Sequence, residues 1–179
     1  METIPIIKLN KYAIFFVLLG LVILLSSISL KSQTPKDFSG KWEFDKTKST
    51  PGQIASNYEG VVIRTITQTT STLTYSEIYT KSDNADWATE PEVYNLDGKE
   101  TSEKFSLGII KKTAKWTDDF QSITLTYIDE RIKDGVSEQF LNAETLKVSD
   151  DGQTLTIKTY SKNPVQGETT SLSIYHKRE

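Results

Sequence analysis

The sequence predicts an all-β domain, an antiparallel up-and-down β-barrel of about eight to ten strands, preceded by an N-terminal hydrophobic signal or anchor helix. Three observations carry the prediction. Apolar and polar residues alternate with a period of two in run after run between residue 61 and the C terminus. Asp-Gly pairs, which accept positive φ and close tight hairpins, fall between those runs. Downstream of residue 33 no segment shows a 3.6-residue apolar stripe, so the crossover helices of a parallel sheet are lacking.

The first element is the leader. Residues 13–30, AIFFVLLGLVILLSSISL, carry no charge and follow Lys8 and Lys11. A basic n-region, an apolar h-region and a cluster of small residues make up a secretory signal, with cleavage expected after Ser29 or near Ser32 and Gln33. About eighteen apolar residues also just span a bilayer, which makes an uncleaved anchor the rival reading. The expected boundaries are 1–33 for the leader and 34–179 for the barrel. Either reading puts the folded part outside the cytoplasm, in the periplasm or beyond the cell. The chain has no Cys, so neither a lipidated cysteine nor a disulfide is available, and packing alone must hold the barrel.

The barrel begins with DFSGKWEF, residues 37–44, read as the first strand with Gly40 and Trp42 forming a plug at one end. VVIRTITQ, 61–68, is a strand whose inward face is ambiguous: Val61 and Ile63 share one side, Val62 and Ile66 the other. Leu73, Tyr75, Glu77 and Tyr79 alternate with Thr74, Ser76, Ile78 and Thr80. Ile123, Leu125 and Tyr127 alternate with Thr and Ser, as do Leu155 and Ile157, and Leu172 and Ile174. Thr-rich faces are β-branched and polar, which suits strands with one side in water. SEQFLNAETLKVSD, 137–150, is read as two strand pieces around a bend. The turns LDGK (96–99), KDGV (133–136), DDGQ (150–153) and NPVQGE (163–168) are read as hairpin closures. Two longer stretches, 45–60 and 81–92, are either entrance lids or plain surface loops.

Charge excludes several functions. The chain carries a net −3, and −5 once residues 1–32 are removed, with both signs interspersed. Nucleic-acid binding needs a basic surface that displaces counterions, and none is visible. An outer-membrane barrel needs an apolar outer belt, whereas these outer faces read as Thr, Ser, Lys and Glu. Catalysis and metal binding lack a constellation. His176 is the only histidine, there is no Cys and no Gly-x-Ser-x-Gly turn, and His176 is read as a solvated strand-end residue. Asp129 and Glu130 are neighbours on a strand and point to opposite faces, so they cannot converge on one substrate. Asp129 and Arg131 share a face and could form a salt bridge or, if they face inward, orient an anionic head group; a surface pair is the favoured reading. No catalytic residue, metal or cofactor is assigned.

FSGKWEFDKTKS, 38–49, resembles the opening of the bacterial exported lipocalin-like domains, and NLDGKE, TAKWTDD, ITLTY and LKVSDDGQTLTIKTYSKNPVQGE resemble the hairpins of the same family. The resemblance covers about residues 37–178. Gly40-x-Trp42 is also the signature of true lipocalins, in which the Trp closes the barrel floor and a late Arg covers it. The late Arg here is Arg178, which the resemblance would stack on Trp42. What the resemblance implies is a barrel with an apolar cavity, and no particular ligand.

A barrel of this size either fills its interior with side chains or holds one small ligand. Tyr75, Tyr79, Trp116, Leu125 and Tyr127 are the candidate lining, apolar walls with hydroxyl handles suited to an acyl or aromatic molecule. Taken singly each of them fits a core position better, and only as a set do they fit a cavity about as well. The expected function is binding or carrying a small hydrophobic molecule. The expected partner is that molecule alone, with the protein a monomer that meets the membrane only through an uncleaved leader. The alternative is a cell-envelope interaction module that uses its barrel loops and has no small ligand.

Overall fold

A computed structural model describes residues 34–51, 54–81, 86–133 and 135–179; the leader at 1–33 lies outside the described residues. The strands are β1 (Gly40–Phe44), β2 (Val61–Gln68), β3 (Thr72–Thr80), β4 (Asp86–Ala88), β5 (Glu92–Asn95) and β6 (Thr101–Phe105), then β7 (Gly108–Trp116), β8 (Ser122–Lys133), β9 (Val136–Val148), β10 (Thr154–Asn163) and β11 (Gly167–Arg178). One helical turn, α1 (Ile54–Asn57), precedes β2. Among the described residues no helix is long and apolar enough to cross a membrane.

All eleven strands join one antiparallel sheet in the order β4-β3-β2-β1-β11-β10-β9-β8-β7-β6, with β5 beside β4 on the outer edge of β3. β1 pairs with β11 and so brings the two ends of the domain together. The sheet rolls up. Arg64 on β2 bonds Glu144 on β9 at 2.7 Å, yet these strands lie four places apart, about 19 Å in a flat sheet at the usual strand spacing. At the seam between the β6 edge and β5, Lys112 of β7 and Glu92 of β5 form an ion pair. Side chains, and not a backbone ladder, span this seam. On the far side of the seam β6 pairs, among the described residues, only with β7, and all five of its residues are exposed.

Inward positions follow the period of two. Val62, Arg64 and Ile66 are buried on β2, which settles its face. The lower half of the interior is dry and closely packed, with Phe38, Trp42, Leu73, Ile123, Leu146 and Leu155 at 0–1% exposure. Phe38 comes from the segment before β1. Gln68 pins that segment by donating to Lys36 O and accepting from Phe38 N–H, at 3.0 and 3.1 Å. Trp42 donates its indole N–H to Phe38 O at 3.0 Å, so the buried ring leaves no polar atom unpaired. Gly40 has φ +146°, and a Cβ there would sit 3.4 Å from the Lys177 chain and 3.5 Å from the Trp42 indole.

Several expectations require correction. The residue over Trp42 is Lys177, whose ammonium lies 5.4 Å from the ring centre; Arg178 turns to Glu43 instead. Strand pairing puts Lys177 opposite Trp42, so the terminal Arg is one residue out of register. Residues 136–148 form one continuous strand without a bend, because β8 and β10 ladder it on both sides. Gly98 has the positive φ expected of its turn, yet 96–99 closes no hairpin: β5 pairs with β3 and β6 with β7, so this turn carries the chain across the seam. On β11 the buried positions are Ser173 and Tyr175, placing Leu172 and Ile174 on the outer face. The stretch expected to be a free loop after β1 runs along them, with Asp45 N–H and Thr50 N–H donating to Ile174 O and Leu172 O at 2.8 Å.

Candidate functional site

Above the dry floor the interior turns polar. Arg64 stands opposite Glu77 on the neighbouring strand β3 and reaches across the barrel to Glu144. Its Nε donates to Glu77 Oε1 at 2.9 Å, and its Nη1 to Glu144 Oε2 at 2.7 Å. Two tyrosines complete the shell. Tyr79 donates its hydroxyl to Glu77 Oε2 at 2.7 Å, and Tyr175 donates to Oε1 at 3.2 Å. The guanidinium also lies 4.6 Å from the centre of the Tyr75 ring. Arg64 is 6% exposed, so the ions interact through protein more than through water.

The cluster sets its own protonation states. Burial opposes the charge on Arg64, but Glu144, Tyr175 and Glu77 outweigh it and hold the guanidinium charged well above its ordinary range. Burial likewise pushes the Glu77 carboxyl up, and the Arg64 charge with the Tyr79 hydroxyl overcomes this, leaving it below its usual value. The phenols of Tyr75 and Tyr175 are pushed far up by burial, so they remain neutral hydrogen-bonding groups at any ordinary pH.

Two further ion pairs lie at the same height or above. Lys112 meets Glu92 at the seam, with the ammonium 5.8 Å from the ring centres of Tyr94 and Tyr127. Asp129 is paired with Arg131, whose Nε donates to Oδ2 at 2.8 Å. The expected surface pair is therefore only half on the surface. Asp129 is 3% exposed, because Ile123, Leu125 and Asp129 share the inward register of β8. Its Oδ1 is buried and has no hydrogen-bond partner among the described residues. Glu130 points outward to Lys111, at 2.9 Å, so the two acids face opposite ways as the alternation requires.

The upper rows differ from the floor in one respect. Cross-strand registers align Tyr127 with Asn142 and Asn142 with Ser161, and Ser161 donates its hydroxyl to Asn142 Oδ1 at 2.8 Å. These residues, with Tyr75, Phe140 and Thr159, occupy the inward register yet are only half-buried.

The sequence-chosen residues separate accordingly. Tyr75 and Tyr79 join the Arg64 cluster, and Tyr127 stands in the upper row. Leu125 is buried in the packed half, and Trp116 stacks on Phe38 at the floor with ring centres 5.9 Å apart. Tyr79 also packs on Trp87, its cross-strand partner on β4, with ring centres 4.6 Å apart. Arg64, Glu144 and Phe38 were not singled out. The signal for Arg64 was present in VVIRTITQ: a charge in the middle of an apolar strand lies either on the wet face or in a neutralised interior, and only tertiary structure decides which.

His176 is 46% exposed at its side chain and lies 3.0 Å from Asp45 Oδ2. Among the described residues no group of three or more potential ligands is placed to hold a metal ion.

No protein-family model matches the chain, and no curated protein matches it. Among solved structures, the chain is similar to zebrafish ileal bile acid-binding protein, crystallised with cholic acid, at 15% sequence identity and a TM-score of 0.49. The likeness covers 79% of this chain and 98% of that one.

Proposed function

We propose that this protein is an exported, monomeric carrier of the bacterial lipocalin-like kind, and that it holds a small, largely apolar molecule in the upper half of its barrel. The observation that carries the reading is the upper row of inward-facing residues, Tyr127, Phe140, Asn142 and Ser161, which are each only half-buried where the floor residues are sealed. Tyr75, Tyr79 and Tyr127 supply ring faces to the ligand. Leu125 and Trp116 belong to the floor beneath it, with Gly40 and Trp42 as the plug. Export rests on the leader sequence, residues 1–33, which delivers the barrel at 34–179 to the periplasm or beyond.

The test is binding of Nile red, a neutral lipophilic dye, to the purified full chain. Saturable binding at one dye per protein is expected, and Ser161→Trp, which fills the upper chamber, abolishes it while circular dichroism stays that of the wild type. Absence of binding, or binding indifferent to that substitution, refutes the carrier reading.

A second reading has its own observation. Leu107, Ile132, Val136 and Val165, each 61–86% exposed, crowd the hairpin ends on the side away from Trp42. They suit an envelope interaction module whose loops grip another macromolecule, with no small ligand inside. Replacing all four with Ser separates the two readings, since dye binding survives it and partner binding does not.

A further inference from the structure

The ligand's polar group follows from the electrostatics of the chamber, given the carrier reading above. The inward-facing ions from the Arg64 layer up to Arg131 are three cations, Arg64, Lys112 and Arg131, against five carboxylates, Glu77, Glu92, Asp129, Glu138 and Glu144. Every one of these cations is already committed: Arg64 to Glu77 and Glu144, Lys112 to Glu92, and Arg131 to Asp129. Arg64 has Nε, Nη1 and Nη2 all occupied by carboxylate oxygens. An entering carboxylate would find no cation without a carboxylate partner on the inward face between Arg64 and Arg131, among the described residues, and would add to an excess of negative charge in a partly buried space.

The unmet demand is of the opposite kind. Asp129 Oδ1 is a buried acceptor with no donor among the described residues, whereas its Oδ2 is held by Arg131. A buried carboxylate oxygen left without a hydrogen bond is costly, and a donor that reaches it recovers that cost. Asp129 stands opposite Phe140 and one inward step above Tyr127, so a donor at Oδ1 comes with aromatic rings for the adjoining carbon chain. Arg131 is 51% exposed at its side chain and is the partner free to swing outward as the donor arrives.

We propose that the chamber selects ligands through a hydrogen-bond donor, a hydroxyl or an ammonium, seated on the Asp129 carboxylate, and that it turns carboxylates away. The experiment is displacement of Nile red from the full chain at pH 7 by three ligands of equal tail: 1-dodecanol, dodecylamine and dodecanoate. Dodecanol or dodecylamine is expected to displace the dye at a concentration about tenfold below that of dodecanoate, the scale of one charge-assisted hydrogen bond.

Two variants identify the atom and the donor. Asp129→Asn keeps an acceptor but removes the charge, so it weakens the amine and spares the alcohol. Asp129→Leu removes both properties and erases the advantage of either donor, while Nile red binding itself persists. If dodecanoate displaces as well as the other two, or the Asp129→Leu chain still prefers a donor, the inference falls and the carrier reading stands. If Nile red does not bind at all, both fall.

Discussion

Arg64 is the residue on which the middle of the barrel turns, and replacing it with Met is the sharpest test of the packing described above. Methionine keeps much of the length and apolar bulk of the stem while deleting the charge. Two carboxylates whose side chains are each only 12% exposed then face one another without a counter-ion. Breaking a buried pair by removing one partner costs about 3–5 kcal/mol, because the remaining charge stays buried. Here two charges remain, and the contact with the Tyr75 ring is lost as well, a further ~0.5–2 kcal/mol. A destabilisation of at least 3 kcal/mol is expected, read as a lower urea midpoint at unchanged slope. The deficit has a pH signature: without the Arg64 charge that holds its carboxyl down, Glu77 relieves the repulsion by taking a proton, so the gap between variant and wild type narrows as pH falls from 7. A triple variant, Arg64→Met with Glu77→Gln and Glu144→Gln, recovers part of the loss at pH 7 by removing the stranded charges. A change below 1 kcal/mol in Arg64→Met, with no dependence on pH, would mean that water screens the cluster and that the rolled interior is open at this level.

Further outcomes follow from the same geometry. Trp42→Ala is expected to cost about 3–5 kcal/mol, the usual penalty for truncating a buried aromatic, and Trp42→Phe about 1 kcal/mol for the lost indole bond to Phe38 O; near-equal urea midpoints for wild type and Trp42→Ala would rule out the plug. Glu77 titrates below its ordinary value of 4.5 in the folded protein, so its contribution to stability is complete above that value and lost as pH falls through the lower, folded one. Glu77→Gln therefore flattens the stability–pH curve below about pH 4.5, and an unaltered acid limb in denaturation would count against the assignment. Gly108 starts β7 so close to β8 that an added Cβ would lie 1.9 Å from Glu130 O. Gly108→Ala should cost about 1–3 kcal/mol through displaced backbone, and a thermal midpoint equal to that of the wild type would show that the approach is not so tight.

Much of the fold was legible because a strand with one wet face writes its burial into every second residue. β3, β8 and β10 declare their inward sides in this way, and Gly135 and Gly152 take the positive φ that their Asp-Gly turns demand. The alternation fails where both faces of a strand are covered. On β11 the apolar Leu172 and Ile174 lie outside because residues 45–50 run along their backbone, and Ser173 lies inside. No local pattern reveals that a distant loop will cover the outer side. The same limit applied to the interior. Tyr75, Tyr79 and Tyr127 were readable as inward aromatics, but their setting was not, since Arg64 and Glu144 are 80 residues apart in sequence and only the rolled sheet brings their charges together. Asp129 lies on the face opposite Glu130 as the sequence requires, yet its depth is not legible there, because alternation tells which side a residue faces and not how deep that side is.

The strand beyond the seam carries a consequence for the protein in crowded solution. Thr101–Phe105 offers one full row of peptide groups to whatever comes alongside, and such a row invites a strand from a second molecule to extend the sheet. Glu103 and Lys104 sit in the middle of that row, where two copies in the common antiparallel arrangement would have to accommodate four charges at close quarters. Their replacement by Val and Ile should turn a dispersed protein into one that self-associates as concentration rises, detectable by light scattering, so this short charged border keeps neighbouring molecules from being stitched into a longer ribbon.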